Sequence, residues 1–307
     1  MYRENITTAQ LTAWIFAAAV PTAIQLTANA PWVSLLMVAV ISLLCTLVRW
    51  YWGVTPQWKG YRTANWILTI LLMTAVGTAV VHTWPIGSHK AVAIILYALA
   101  LWSSTKGLKA AASVGSVIFC FLIVLYLIMF SEAAGHVNLQ WLKPTRGMVG
   151  ALGTTVLLTP AFAASLLDGR KKPDRRCILT GIFCVAAAML TAGVLSPWVG
   201  VQEENSFYQV ILSIPNRFEA VLSAATTMGW FLLIALYLSF NSHKINSTAK
   251  GKGAWSATFI SSLMIMLNIS IPEAIVLMTA VILWIVIPVL HGVALERKKS
   301  KKLENSA

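Results

Sequence analysis

Two prolines and a handful of hydroxyls are the residues whose types and spacing suggest chemistry. Pro21 lies 13 residues past Thr8, with Thr22 and Gln25 beside it. Pro160 lies 13 residues past Gly147, with Thr154, Thr155 and Thr159 just before it. A proline inside a helix removes a backbone donor and frees the carbonyl one turn earlier. In hydrocarbon such a carbonyl must be satisfied by protein, water or ligand. A single proline with threonines reads as a kink. The matched positions are what raise a substrate-binding site built from Ala18, Pro21, Thr22, Gln25, Thr154, Thr155, Thr159 and Pro160.

A second cluster, Ser223, Thr226 and Thr227, falls mid-way along an apolar run. Its hydroxyls could join carbonyls of Ala17–Val20 around a small cation, with Ala17, Val20, Thr226 and Thr227 as ligands. Neutral oxygens suit a monovalent ion such as sodium, since dedicated divalent sites recruit carboxylates. The competing reading is that each hydroxyl bonds back to the preceding turn. Arg217 and Glu219 open the same run and lie two apart, on different helix faces, so they do not pair with each other. His82, His89 and His136 stand beside no carboxylate in a recognisable pattern. No other cofactor is expected, and no catalytic residue stands out.

The elements that must position these residues are apolar throughout. Of the 307 residues 58% are apolar and 11% charged, against about 25% charged in ordinary soluble domains. Mean hydropathy is +0.76. A helix needs about 20 mostly apolar residues to span a bilayer. Ten such runs are expected, at 8–29, 31–53, 64–84, 91–105, 113–130, 148–167, 177–199, 216–240, 254–270 and 272–295. They lack period-2 alternation, which excludes a β-barrel. The tail 296–307 is polar and is expected to fray. The stretch Ala28-Asn29-Ala30 has the form of a signal-peptidase site. Balanced Arg3 and Glu4, Pro21 and Gln25 within the run, and Pro31 after the cut argue for a retained span.

Basic residues set the orientation. A cytoplasmic N-terminus leaves Lys90, Lys143, Arg146 and Arg217 outside and the remaining 19 of 23 basic residues inside. Both termini are therefore expected in the cytoplasm. The net charge of +13 is then a topology signal and an attraction to anionic membrane lipid, not a nucleic-acid surface. Cys45, Cys120, Cys177 and Cys184 form no CxxC pair and read as small apolar residues. Thr7-x-x-Gln10 reads as a capping box. Ser270, Pro272 and Glu273 read as a cap, a first-turn proline and a first-turn acid.

Ten spans with both ends inside divide into five and five, and an odd number per half turns the second half upside down. The expected fold is an all-α integral membrane protein with ten transmembrane helices in a 5+5 inverted repeat. The first repeat covers 1–146, the second 147–295, and 296–307 is a basic cytoplasmic tail.

Three segments resemble the spore-germination permease family, the B subunit of nutrient germinant receptors, within the amino acid–polyamine–organocation transporter superfamily. The first is Ile6-Thr7-Thr8-Ala9-Gln10-Leu11 with Pro21 and Asn29-Ala30-Pro31-Trp32-Val33-Ser34-Leu35-Leu36. The second is Pro215-Asn216-Arg217-Phe218-Glu219-Ala220-Val221. The third runs from Thr159-Pro160 into the basic loop after Asp168. The resemblance implies a multi-pass protein of the inner membrane of a spore-forming bacterium. It would bind a small nutrient such as an amino acid, as a germinant-receptor subunit beside other receptor subunits or as a transporter. A non-transporting structural subunit and an integral-membrane transferase are the alternatives.

Overall fold

The first helix starts where its cap sits. The backbone N–H of Gln10 donates to Thr7 Oγ1 and the N–H of Thr7 donates to Gln10 Oε1, both at 3.2 Å. This is the capping box expected from the spacing. The computed structural model describes residues 6–27, 32–83, 89–134, 149–163, 166, 219–244 and 252–304. The expected seventh span, 177–199, and Arg217 lie outside the described residues.

The elements are α1 (Thr8–Thr27), α2 (Trp32–Trp52), α3 (Lys59–Thr83), α4 (His89–Thr105), α5 (Leu108–Ala134), α6 (Ala151–Leu157), α7 (Thr159–Ala163), α8 (Glu219–Lys244), α9 (Lys252–Met266), α10 (Glu273–Val281) and α11 (Ile287–Glu304). A π turn, Ile282–Val286, joins α10 to α11 in one long rod. Every regular element among the described residues is helical. Five stretches are long and apolar enough to cross a membrane: Val33–Trp52, Lys59–His82, Leu108–Leu125, Ala224–Asn241 and Glu273–Lys301. Ala9–Ala23 and Lys90–Thr105 are shorter apolar helices.

The connections follow from local chemistry. Gly107 between α4 and α5 has φ 114°, a conformation that a Cβ disfavours. Asn268 ends α9 in the left-handed region, with φ 56°. Ile269 N–H then donates to the Met264 carbonyl at 2.9 Å and Asn268 N–H to Ile265 at 3.1 Å. This pair of bonds is a Schellman ending and satisfies two orphan carbonyls.

Two expectations about helix ends are corrected. The tail does not fray from residue 296, because α11 continues to Glu304. Its Glu, Lys, Arg and Leu residues are good helix formers and extend a nucleus already formed by the span. Ser270 is not the cap of α10, and Glu273 is not its third residue. Pro272 is the N-cap residue and Glu273 is the first helical residue. Its carboxylate instead reaches α6.

Helices α1 and α8 form the centre. In α1, Leu11, Trp14, Ile15, Ala17, Ala18, Ala19 and Val20 are all buried. A helix apolar on every side belongs in the interior. It packs against α5 and α8, and α8 also packs against α4. Trp14 lies against Gly115 of α5, where a Cβ would sit 2.8 Å from the Trp14 side chain. Its Nε1–H donates to the Leu232 carbonyl of α8 at 3.2 Å. Around this pair, α3 packs on α4 and α9, and α2 packs on α7 and α11. By contrast α2 and α5 turn apolar faces outward, at Met37, Ile41 and Leu44 and at Val117, Val124 and Leu127. Such faces suit lipid.

Candidate functional site

The interruption expected near Pro160 is present. The seven-residue α6 ends at Leu157, Leu158 makes a turn, and α7 begins at Thr159. Pro160 has no N–H, so the Val156 carbonyl one turn earlier loses its helical donor. Leu158 N–H is shared between the carbonyls of Thr154 at 3.2 Å and Thr155 at 3.1 Å, and Ala161 N–H bonds Leu158 at 2.9 Å.

Three other elements hold this break. The Glu273 carboxylate of α10 accepts the Leu152 N–H at 3.0 Å, across 121 residues. An acid at the positive end of a helix is favourable. Trp50 of α2 donates its indole N–H to the Pro160 carbonyl at 3.1 Å. The Thr159 and Tyr237 hydroxyls are 3.1 Å apart, and both are buried.

Aromatic rings surround this contact. Phe162 meets Tyr237 with centroids 5.4 Å apart, Phe240 at 5.7 Å and Trp284 at 4.9 Å. Tyr237 and Trp284 are 5.7 Å apart. Trp284 belongs to the π turn, a local widening of the helix often found at functional sites. Trp284 Nε1 and Asn241 Oδ1 are buried and have no hydrogen-bond partner among the described residues. They flank Tyr237: Asn241 follows one turn later on α8, and its Nδ2 donates to Thr69 Oγ1 at 2.8 Å. An unpaired buried donor and acceptor each carry a desolvation cost of about 1–3 kcal/mol. A ligand offering both an acceptor and a donor would relieve both.

The counterpart in the first half differs. Helix α1 runs through Pro21 without interruption, so the break expected there is absent. Proline deprives only the Ala17 carbonyl of its helical donor, and the remaining ladder continues to Thr27. A Cβ on Gly229 of α8 would lie 2.7 Å from Pro21 Cβ and 3.4 Å from Thr22 Oγ1. Thr22 bonds back to the Ala18 carbonyl at 2.8 Å. Thr154 and Thr155 do the same, to Gly150 at 3.1 Å and Ala151 at 2.8 Å. These three hydroxyls therefore spend their protons on the preceding turn.

Both prolines thus pack near α8, but at different levels. Pro21 is at Gly229, and Thr159–Pro160 is at Tyr237, about 12 Å further along the axis at 1.5 Å per residue. Gly229 and Leu232 mark the α8 face that meets α1. At 100° per residue Thr226 falls about 60° from Gly229, and Thr227 about 160° away. Thr226 is buried and Thr227 half-buried. Ala17, Ala18 and Val20 are buried in α1. The side chains of Gln25, Glu219 and Ser223 lie outside the described residues.

The reading of spacing missed Trp50, Tyr237, Trp284, Asn241 and the reach of Glu273. The available signal was slight: single polar or aromatic residues inside apolar runs, each of which an ordinary span also contains. Among the described residues no group of three His, Cys, Asp or Glu side chains could hold a metal ion. No protein-family model matches the chain, and no curated protein matches it.

Proposed function

We propose that the chain is a permease-like membrane protein that binds a small nutrient, with an amino acid as the substrate class. In this reading ten spans form a 5+5 inverted repeat with both termini in the cytoplasm, and the second-half break at Thr159–Pro160 is the binding region. One observation carries the reading. The interrupted helix is bonded by Glu273, Trp50 and Tyr237, beside a buried donor on Trp284 and a buried acceptor on Asn241 that nothing among the described residues satisfies. An amino acid brings a carboxylate acceptor and an ammonium donor in one small molecule. Interrupted helices near the bilayer midplane are where such folds hold their substrates.

The resemblance to germination permeases supports the placement of the protein as a receptor subunit in the inner membrane of a spore former, beside other receptor subunits. In this reading a sodium ion lies between the Thr226 and Thr227 hydroxyls and carbonyls of Ala17–Val20. A second reading, binding without transport, is favoured by the unbroken α1. Transporters of this plan interrupt the first helix of each half.

Equilibrium binding of radiolabelled amino acids to the purified protein, with and without sodium, tests the proposal. Saturable binding that Trp284→Phe or Asn241→Leu weakens is the expected outcome. No saturable binding across the common amino acids would refute it. Uptake in proteoliposomes separates the two readings: transport requires accumulation, and a sensor shows binding alone.

A further inference from the structure

Arg49 stands in the last turn of α2 with only 3% of its surface exposed. A guanidinium is charged at any pH a protein meets. Its Nη2 donates to Thr55 Oγ1 at 2.7 Å, and its Nε has no partner among the described residues. No carboxylate among the described residues acts on it. Tyr61, close by, has committed its hydroxyl to the Leu283 carbonyl of the π turn at 2.8 Å. The carbonyl end of α2 supplies only about half a negative charge. A buried charge left unpaired costs several kcal/mol, so among the described residues the site is short of an anion.

The surroundings indicate where that anion comes from. Tyr51, Trp52 and Trp58 are exposed around this end of α2. Exposed Trp and Tyr rings at a helix end mark the membrane–water interface. Lys59 is exposed beside them, and Arg62 bonds Gln57 at 2.8 Å. The loop is seated on α11: Val54 N–H donates to the Pro288 carbonyl at 2.9 Å, and the Trp58 and His291 rings are 6.0 Å apart. Arg297 and Lys298 follow within two turns on the same helix. Gly53 leaves room for the helix end and the side chain: a Cβ there would lie 2.4 Å from the Arg49 carbonyl oxygen and 2.5 Å from Arg49 Nη1.

We propose that Arg49 and Thr55 form an oxyanion site at the interfacial end of α2, which takes a phosphate group. The phosphate belongs to a lipid headgroup or to a free phosphate in the aqueous phase. Arg49 Nε and the remaining guanidinium donors bind its oxygens in the planar, forked geometry that suits phosphate. The Thr55 hydroxyl, already accepting from Nη2, can turn its own proton toward the same group. Lys59 and the basic run of α11 raise the local anion concentration. The site is separate from the Thr159–Pro160 region and does not depend on amino-acid binding there.

The test uses the full chain purified in a maltoside detergent, with thermal unfolding followed during titration. The probes are phosphatidylglycerol, diacylglycerol of matched chains, and inorganic phosphate. A saturable rise in the midpoint with phosphatidylglycerol and none with diacylglycerol is expected. Arg49→Gln should weaken the apparent affinity about ten-fold or more, as loss of a charge-assisted bond does. Arg49→Lys, which keeps the charge without the fork, should recover part of it. Should Arg49→Gln fail to fold, Thr55→Val, which removes the hydroxyl and keeps the shape, should weaken the same titration. A shift with inorganic phosphate as well shows that a free phosphate suffices, and a shift with the lipid alone identifies the headgroup. No phosphate-dependent shift in the unaltered protein, or an equal shift with diacylglycerol, overturns the proposal.

Discussion

The contact between Thr159 and Tyr237 permits a sharp test, because each hydroxyl can be removed without changing the shape around it. Tyr237→Phe keeps a ring that meets Phe162 at 5.4 Å and Trp284 at 5.7 Å. Thr159→Val replaces the hydroxyl by a methyl and keeps a β-branched residue at the start of α7. Both residues are buried, so either single change leaves the other hydroxyl without this partner. That costs about 1–3 kcal/mol. The double variant leaves neither, so its cost should be close to that of one single change. The expected coupling is therefore about 1 kcal/mol. Hydrogen bonds between membrane helices average about 0.6 kcal/mol in such cycles and reach about 1.7 at most, and a pair this buried belongs in the upper part of that range. Reversible unfolding in mixed micelles, followed by tryptophan fluorescence, gives the four stabilities. Additivity to within about 0.3 kcal/mol would show that α7 is not tied to α8 at this point.

Gly229→Val should destabilise the protein by about 1–3 kcal/mol in the same unfolding assay, because even its Cβ meets the Pro21 ring at 2.7 Å. Pro21→Ala should not rescue it, since the clashing Cβ remains; a full rescue would show that α1 and α8 are packed differently. Glu273→Ala should cost about 1–2 kcal/mol through the lost bond to Leu152 N–H, and Glu273→Gln less, since it keeps an acceptor; equal stabilities for all three forms would disprove the bridge. With both termini inside, Lys171→Cys and Ser242→Cys should resist a membrane-impermeant maleimide added to intact cells, and labelling at either would overturn the orientation.

What could be read from the sequence was what a helix writes in its own spacing. Apolar runs long enough to span appear as Val33–Trp52, Lys59–His82, Leu108–Leu125 and Ala224–Asn241. The Thr7–Gln10 box is local, three residues apart, and it formed as expected. Glu273 looked equally local but bonds a residue 121 positions away. Trp14 finds its acceptor 218 positions away, and Asn241 finds Thr69 at 172. Nothing in residue spacing distinguishes a first-turn acid that serves its own helix from one that serves a neighbour. The same limit applies to the prolines. Proline at 21 and at 160 predicts the same missing donor, but neighbours decide whether the rod bends. Pro21 meets a glycine on α8, which allows α1 to lie close. Pro160 follows a turn whose carbonyls and hydroxyls find Trp50 and Tyr237.

The two halves are therefore unequal at the residues where an inverted repeat would make them alike. Helix α1 is unbroken and packs closely on Gly115 of α5 and Gly229 of α8. The α6–α7 segment is jointed, and every bond that secures the joint comes from a different helix: α10 through Glu273, α2 through Trp50, α8 through Tyr237. The unpaired groups on Trp284 and Asn241 stand beside that joint and not beside Pro21. In the proposed reading a ligand there would bond the jointed half and not α1, and a ligand that bonds one arrangement better than another shifts a conformational equilibrium.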